Sequence, residues 1–301
     1  MKWEKLGKVY SPSAEDTYTH AMFPVVEVMD DKMGHIRIYY THRDTSNYGF
    51  PAYMDATLVG EKFSILHNHN EPLVEKAPLG HFDDSGVNVT SIVKVAGKKR
   101  FYYYGWNLGV TVPFRNSIGA AEETEDGVNM ERLYPGPIMD RSKEFPHFCA
   151  TPYVLKDKDI FKMWFAFGDP WLTIDGKPSV ACHIGYAESE NGLDWKREKT
   201  PAVGNKDTDH VVSTPCVIKD SGTYKIWYSY RGKKYRIGYA ESSDGKTFTR
   251  LDEEVGIGVS QDDWDSDMVC YPSVFDLQGT RYMLYCGNEY GKTGFGLAAL
   301  V

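Results

Sequence analysis

One twelve-residue stretch nearly recurs in this chain: IGYAESENGLDW over Ile184 to Trp195 and IGYAESSDGKTF over Ile237 to Phe248, with a looser copy, IGAAEETEDGVNM, over Ile118 to Met130. A chain that repeats one strand and turn is built from one unit. Each copy must bury its apolar face against the next. In the fourth copy an aromatic strand, YKIWYSYR, precedes the quoted strand, and a proline-containing strand, TPCVI, precedes that. The third reads TPYVL, FKMWFAFGD, HIGYAES; the fifth YPSVF, RYMLYCGNE, GFGLAAL; the second GVNVTSIV, RFYYYGWN, NSIGAAEE; and the first, most divergent, FPVVEV, HIRIYYTHRD, PAYMDATL.

These are five units of roughly 50 to 65 residues. Asn191-Gly192, Asp244-Gly245 and Asp126-Gly127 are hairpin signals that end the third strand. A short fourth strand, such as DWKRE or TFTRL, follows. Hardly any segment has a helical period. Four-stranded units repeated radially predict an all-β, five-bladed β-propeller, one domain over residues 1–301. The fifth unit ends after its third strand, and the N-terminal KWEKLG resembles DWKREK of the third. Trp3 to Leu6 is therefore expected to complete the last blade, closing the ring and removing an exposed edge. The repeated IGYAES itself reads as scaffold, its glycine allowing close strand packing and Ala187 and Ala240 fitting between blades.

Composition limits the function. The formal charge is −8 and no basic run interrupts it, so a nucleic-acid partner is not expected. Aromatic residues make up 14%, including 21 tyrosines and 7 tryptophans, rings that suit strands and line carbohydrate sites. The opening MKWEKLGKVYSP has no apolar core of a secretory signal, and no apolar run is long enough to span a membrane. Five cysteines, an odd number without a CxxC pair, read as buried thiols of a reducing cytoplasm. Oligomeric state is not legible.

In a propeller the start of the first strand and the end of the second lie on one face. Ahead of the first-strand prolines stand His20, His147, His210 and Asp267, and in the second unit Asp83-Asp84. The second strands end in Arg43-Asp44, Trp106-Asn107, Gly168-Asp169, Arg231 and Asn288-Glu289. Acids, imidazoles and guanidiniums gathered at one mouth point to a shared site. Asp265, in DDWDSDM, reads as a turn residue. His35, His42, His67, His69 and His183 read as surface or packing residues.

With HAMFP, IRIYYTHRD, GHFDDSGV, YYYGWN, the GYAES repeats, DDWDSDMVCYPSV and YMLYCGNEYGKTGFGLA, the chain resembles the five-bladed propeller glycosidases along nearly its whole length. That group comprises arabinanases, levansucrases and invertases, together with mannoside phosphorylases. The likeness is strongest to invertase-like proteins encoded among bacterial surface-polysaccharide genes. The resemblance implies chemistry on sugars by acids around the funnel. Arg43-Asp44 matches the family's Arg-Asp element, whereas His20 stands where its first-blade acid is expected, and His147 and His210 where its later Glu is expected.

Three functions follow as expectations. In the first, a glycoside hydrolase or glycosyl-transferring enzyme, Asp84 and Asp267 are the catalytic acids and Asp44 orients a hydroxyl or stabilises positive charge. Arg43 and Arg231 then bind an anionic group, Trp106 and Trp171 stack on a sugar ring, and Asn107, Asp169, Asn288 and Glu289 complete the substrate site. In the second, His20, His147 and His210 hold a divalent ion, zinc or calcium, in the funnel for hydrolysis of a sugar phosphate or nucleotide sugar. The third is a carbohydrate-binding propeller without catalysis. In each the partner is a small carbohydrate or glycoconjugate.

Overall fold

The computed structural model describes residues 1–206 and 209–301. Its elements are strands, apart from a 3-10 turn at Asp252–Glu254 and one helical turn at Asn288–Gly291. Each of the five sequence units is an antiparallel four-stranded meander. The first strands are Tyr18–Asp30, Gly86–Val95, Cys149–Asp157, Val211–Asp220 and Cys270–Leu277. The second are His35–Asp44, Lys98–Leu108, Ile160–Gly168, Thr223–Arg231 and Thr280–Cys286; the third are Gly49–Val59, Phe114–Glu123, Cys182–Ser189, Tyr235–Ser242 and Phe295–Leu300. Lys62–His69, Met130–Arg132, Lys196–Arg197 and Thr249–Arg250 are the fourth strands of the first four units. In the fifth unit that position is taken by Trp3–Tyr10, which runs antiparallel to Phe295–Leu300 with Trp3 opposite Leu300.

The core lies between units. One apolar cluster joins Tyr39 and Tyr53 of the first unit to Val87 and Phe101 of the second. Others join Tyr102 to Met163, Trp164 to Ile226, and Trp227 to Met283 with Trp3. The remaining cluster brings Leu284 and Phe295 of the fifth unit against Ile38 and Met54 of the first. Each such buried side chain stabilises by about 1.5–3 kcal/mol relative to exposure, so a unit that lost its neighbour would lose its core.

The repeat has a local reason. Gly119, Gly185 and Gly238 lie opposite Tyr103, Phe165 and Tyr228 on the second strands. A Cβ at any of the three would strike an aromatic ring of that strand. The ring therefore covers the glycine, as aromatic side chains do on sheets. After the strand, Asp126, Asn191 and Asp244 each accept two backbone N–H groups of the turn they begin. The glycines that follow have φ of 69°, 74° and 76°, the left-handed region glycine enters without strain. Their carbonyls accept hydrogen bonds from Arg37, Tyr102 and Trp164 of the preceding unit. One dodecapeptide thus packs its own sheet and docks it on the unit before.

Candidate functional site

The register puts the expected positions on one edge. Thr19 is opposite Arg43, Gly86 opposite Trp106, Val211 opposite Arg231 and Cys270 opposite Cys286. The starts of the first strands and the ends of the second therefore lie at the same end of each sheet.

Each first strand carries a register shift a few residues below this end. At four of them the residue before proline has positive φ: Phe23 (53°), Thr151 (44°), Thr214 (51°) and Tyr271 (56°). Such a bulge re-aims a side chain. All four line one narrow cavity of about 130 Å³, together with Tyr104, Phe114, Asn116, Phe148, Cys182 and Tyr235. Phe23 stacks on Tyr271 with ring centroids 4.0 Å apart. The Thr214 N–H is accepted by the Thr151 hydroxyl, and the Tyr271 N–H by the Ser229 hydroxyl. Neighbouring units thus satisfy the amides that the bulges free.

Above it, and sharing Tyr104, Phe114 and Asn116, opens a cavity of about 290 Å³ lined also by Arg43, Asn47, Asn88 and Trp106. The Arg43 guanidinium lies 5.7 Å from the Trp106 ring centroid and donates to Asn47 at 2.7 Å, while its Nε is buried without a partner. Arg231 lies over Tyr235 at 5.2 Å and donates weakly to Ser179 at 3.4 Å, and its Nε is likewise buried and unpartnered. Trp171 packs edge-on to Phe114 and near Phe148, at 5.3 and 6.1 Å. Of the expected residues, Arg43 and Trp106 line the larger cavity, while Trp171 and Arg231 each lie against a ring that lines one of the two.

The expected acids do not line it. Among the described residues neither cavity has a carboxylate on its wall. Asp44 accepts the Ser46 and Tyr48 N–H groups and the Ser46 hydroxyl. Burial acts to raise its pKa, but those hydrogen bonds outweigh it and hold the carboxyl below its ordinary range. Asp84 accepts the Gly80 N–H and the Ser85 hydroxyl, both at 2.9 Å. Asp267 pairs with Lys234 at 2.7 Å, Asp169 with His183 at 2.6 Å, and Glu289 with Lys292 at 2.9 Å. Asn288 receives the Asp267 and Met268 N–H groups, and Asn107 reaches toward the His81 carbonyl at 3.5 Å. These residues hold the rim loops in place.

Nor do the histidines assemble. Among the described residues no group of three or more His, Cys, Asp and Glu side chains is arranged to hold a metal ion, so the expected set of His20, His147 and His210 is not formed. His20, at φ 60°, contacts the Thr19 hydroxyl at 2.8 Å, and its carbonyl pairs with the fully buried His42 ring. Burial, then the Arg43 and Lys292 charges, push its imidazole down to about 4. The His210 N–H donates to the Arg231 carbonyl, and its own carbonyl accepts the Cys182 N–H. His147 packs its Cβ against Gly168, where no side chain would fit.

Two acids of these turns are buried. Asp265, read as a turn residue, is fully buried, 2.6 Å from Lys5 and accepting the Tyr285 hydroxyl. Asp83, not Asp84, is the buried member of its pair, 2.7 Å from Arg132 and accepting the Tyr103 hydroxyl. The channel residues Asn116, Cys182 and Tyr235 were missed, although the repeat marks them. Each stands two positions before the Ile-Gly of its unit.

No protein-family model matches the chain. It is 39% identical to two uncharacterized Mycobacterium tuberculosis proteins, Rv1502 of strain H37Rv and MT1551 of strain CDC 1551 / Oshkosh, over 304 residues covering 100% of this chain and 99% of each relative. Among solved structures it is similar to a glycoside hydrolase (TM-score 0.75, 18% identity, 98% of this chain and 90% of that one) and to a Bacteroides ovatus glycosyl hydrolase (TM-score 0.73, 16% identity, 99% and 93%). A third likeness is to a structure titled for the GH130 family of mannoside phosphorylases, at TM-score 0.69 and 16% identity over 99% of this chain and 93% of that one. At these identities the likeness is one of fold, and the fold is that of the glycosidase group whose motifs the sequence resembles. The chain belongs to the family of Rv1502.

Proposed function

We propose that this protein is a carbohydrate-processing enzyme acting at a glycosidic bond. We read its five units as the blades of one closed propeller domain, with the substrate entering at the Arg43–Trp106 mouth. Ring closure is supported by the contacts of successive first strands, which run on from the fifth unit back to the first. It is supported too by a small cavity bounded by Phe23, Thr90, Tyr153, Thr214 and Tyr271, one from each unit. The observation that carries the functional reading is the wall shared by the two cavities. There Tyr104 and Phe114 give flat apolar faces and Asn116 a donor and an acceptor, to which Asn88 and Asn47 of the larger cavity add more. A sugar offers the same mixture: apolar C–H faces edged with hydroxyls.

Glycosidic cleavage needs a proton-donating carboxyl and a second carboxylate as nucleophile or base. Asp44, held ionised beside Arg43, suits the stabilisation of positive charge. Asp84 and Asp267 remain the candidates for acid and base. Either must leave its present partner, Gly80 and Ser85 or Lys234, when substrate binds. A cytoplasmic role in making or remodelling a surface polysaccharide accords with the resemblance.

The bare cavity walls favour a second reading, saccharide binding without turnover. The test is a panel of oligosaccharides assayed for binding and turnover with the wild type and with Trp106→Ala, Asp84→Asn and Asp267→Asn. Turnover lost in an Asp variant while binding survives supports the enzyme. Binding that needs Trp106, with no turnover of any member by the wild type, leaves the binding protein. Absence of any saccharide binding sinks both.

A further inference from the structure

We propose that Arg43 and Arg231 form an anion-recognition subsite flanking the aromatic channel, so that the saccharide taken up there carries a carboxylate or phosphate group. The inference rests on the reading of this mouth as the carbohydrate site and deepens it.

The distribution of arginine charge carries the proposal. Of the eleven arginines in the sequence, Arg37, Arg100, Arg132, Arg141, Arg250 and Arg281 are ion-paired with Asp or Glu. Among the described residues the other five have no carboxylate partner. One of them, Arg197, gives its guanidinium to the Asp140 carbonyl and lies over Phe145. The remaining four, Arg43, Arg115, Arg231 and Arg236, sit at the mouth ends of second and third strands. Arg115 is exposed, and Arg236 donates to the Tyr235 and Asp267 carbonyls. In a protein of formal charge −8, with acids available for pairing elsewhere, the unneutralised guanidiniums thus collect at one opening.

Arg43 and Arg231 differ from surface arginines in a second way. Among the described residues each has a buried Nε with no hydrogen-bond partner, and Arg43 lies against Trp106 and Arg231 against Tyr235. A buried donor left unpaired costs stability, and a guanidinium offers five donors in a fixed fork, so these two sites are incomplete without an acceptor. Rim acids do not supply it: Asp267 and Glu289 are taken by Lys234 and Lys292, and Asp44 turns into its own loop. The low pKa of His20 comes first from its burial and then from the Arg43 and Lys292 charges beside it. Planar or trigonal oxyanions match the guanidinium fork, whereas neutral hydroxyls use one donor at a time.

The test is calorimetric titration of the full-length protein with glucose, glucuronate, glucose 1-phosphate and inorganic phosphate, at low salt and in high salt. One or both of the charged sugars should bind about ten-fold or more tighter than glucose. High salt and Arg43→Gln or Arg231→Gln should each erase that preference, read as the ratio of charged-sugar to glucose affinity measured within each variant. Comparing glucuronate with glucose 1-phosphate separates carboxylate from phosphate. Should a Gln variant fail to fold, Arg43→Lys and Arg231→Lys keep the charge but not the fork, and should reduce the preference without abolishing it. Three results would overturn the proposal: equal affinity for neutral and charged sugars, a preference indifferent to both arginines, or inorganic phosphate binding as tightly as the sugar phosphate. Trp106→Ala reports separately on the carbohydrate site. If it abolishes glucose binding while the arginine variants change nothing, the site stands and the anion subsite falls.

Discussion

The Lys5 ammonium lies 2.6 Å from the Asp265 carboxylate, a contact between residues 260 positions apart. Asp265 is fully buried and also accepts the Tyr285 hydroxyl, while Lys5 is largely covered. The N-terminal strand is thereby tied to the last sheet by an ion pair as well as by its ladder with Phe295–Leu300. Arg132 and Asp83 repeat the arrangement in the second unit, where Tyr103 takes the place of Tyr285.

Breaking a buried pair from one side leaves an uncompensated charge. Lys5→Met should cost about 3 kcal/mol or more and lower the urea midpoint clearly. Lys5→Arg should cost much less. An unchanged midpoint in Lys5→Met would mean that the pair contributes nothing to holding the N-terminal strand.

Gly86 should control the orientation of Trp106. A Cβ at Gly86 would overlap the Trp106 indole nitrogen and approach the Gly49 amide nitrogen at 2.8 Å. Gly86→Ala is therefore expected to push the indole toward the cavity and weaken saccharide binding about ten-fold. The Trp106 indole N–H resonance should shift in the variant. If neither resonance nor affinity moves, Trp106 is not held by this contact.

His20 makes stability pH-dependent on the acid side. Its folded pKa, about 4, lies below the ordinary histidine value of 6.5. Between the two the unfolded chain binds a proton that the folded chain refuses, so stability falls as the pH drops from 6.5 toward 4. Above 6.5 the residue contributes no slope. In an NMR titration the ring should change charge near pH 4, and in Arg43→Gln at a higher pH, though still below 6.5 because burial is the larger cause. A midpoint at 6.5 in the wild type would refute this.

The five thiols should be inert. All are free and buried. Burial pushes Cys149, Cys182 and Cys286 up to about 12 and Cys216 to about 11, and holds Cys270 well above its ordinary value. At pH 8 the thiolate fraction is negligible, so a disulfide reagent should label none in the folded protein and all five in denaturant. Rapid labelling of any one in the native state would place it at the surface.

The repeat unit, its four-strand grammar and the burial of the cysteines were legible in the sequence, because each rests on local chemistry. A glycine that must sit under an aromatic ring, and an Asp or Asn that must cap the turn after it, recur wherever the unit recurs. The pairing of Trp3–Tyr10 with the last unit was legible too, since a strand missing from one end of the chain had a counterpart at the other. The strand ends were legible by the same logic: antiparallel pairing puts Arg43, Trp106 and Arg231 beside the starts of the first strands whatever the finer geometry. Only the tertiary structure decided which side chains face the channel and which carboxylates are already engaged. The left-handed bulges at Phe23, Thr151, Thr214 and Tyr271 turn those side chains inward, against the usual preference of a residue before proline. Asp83 and Asp265 went inside, and Asp44, Asp84 and Asp267 to the rim, because a carboxylate's place is set by the partner that reaches it. Arg132 comes to Asp83 from 49 positions away and Lys5 to Asp265 from 260, and only the folded chain brings them there.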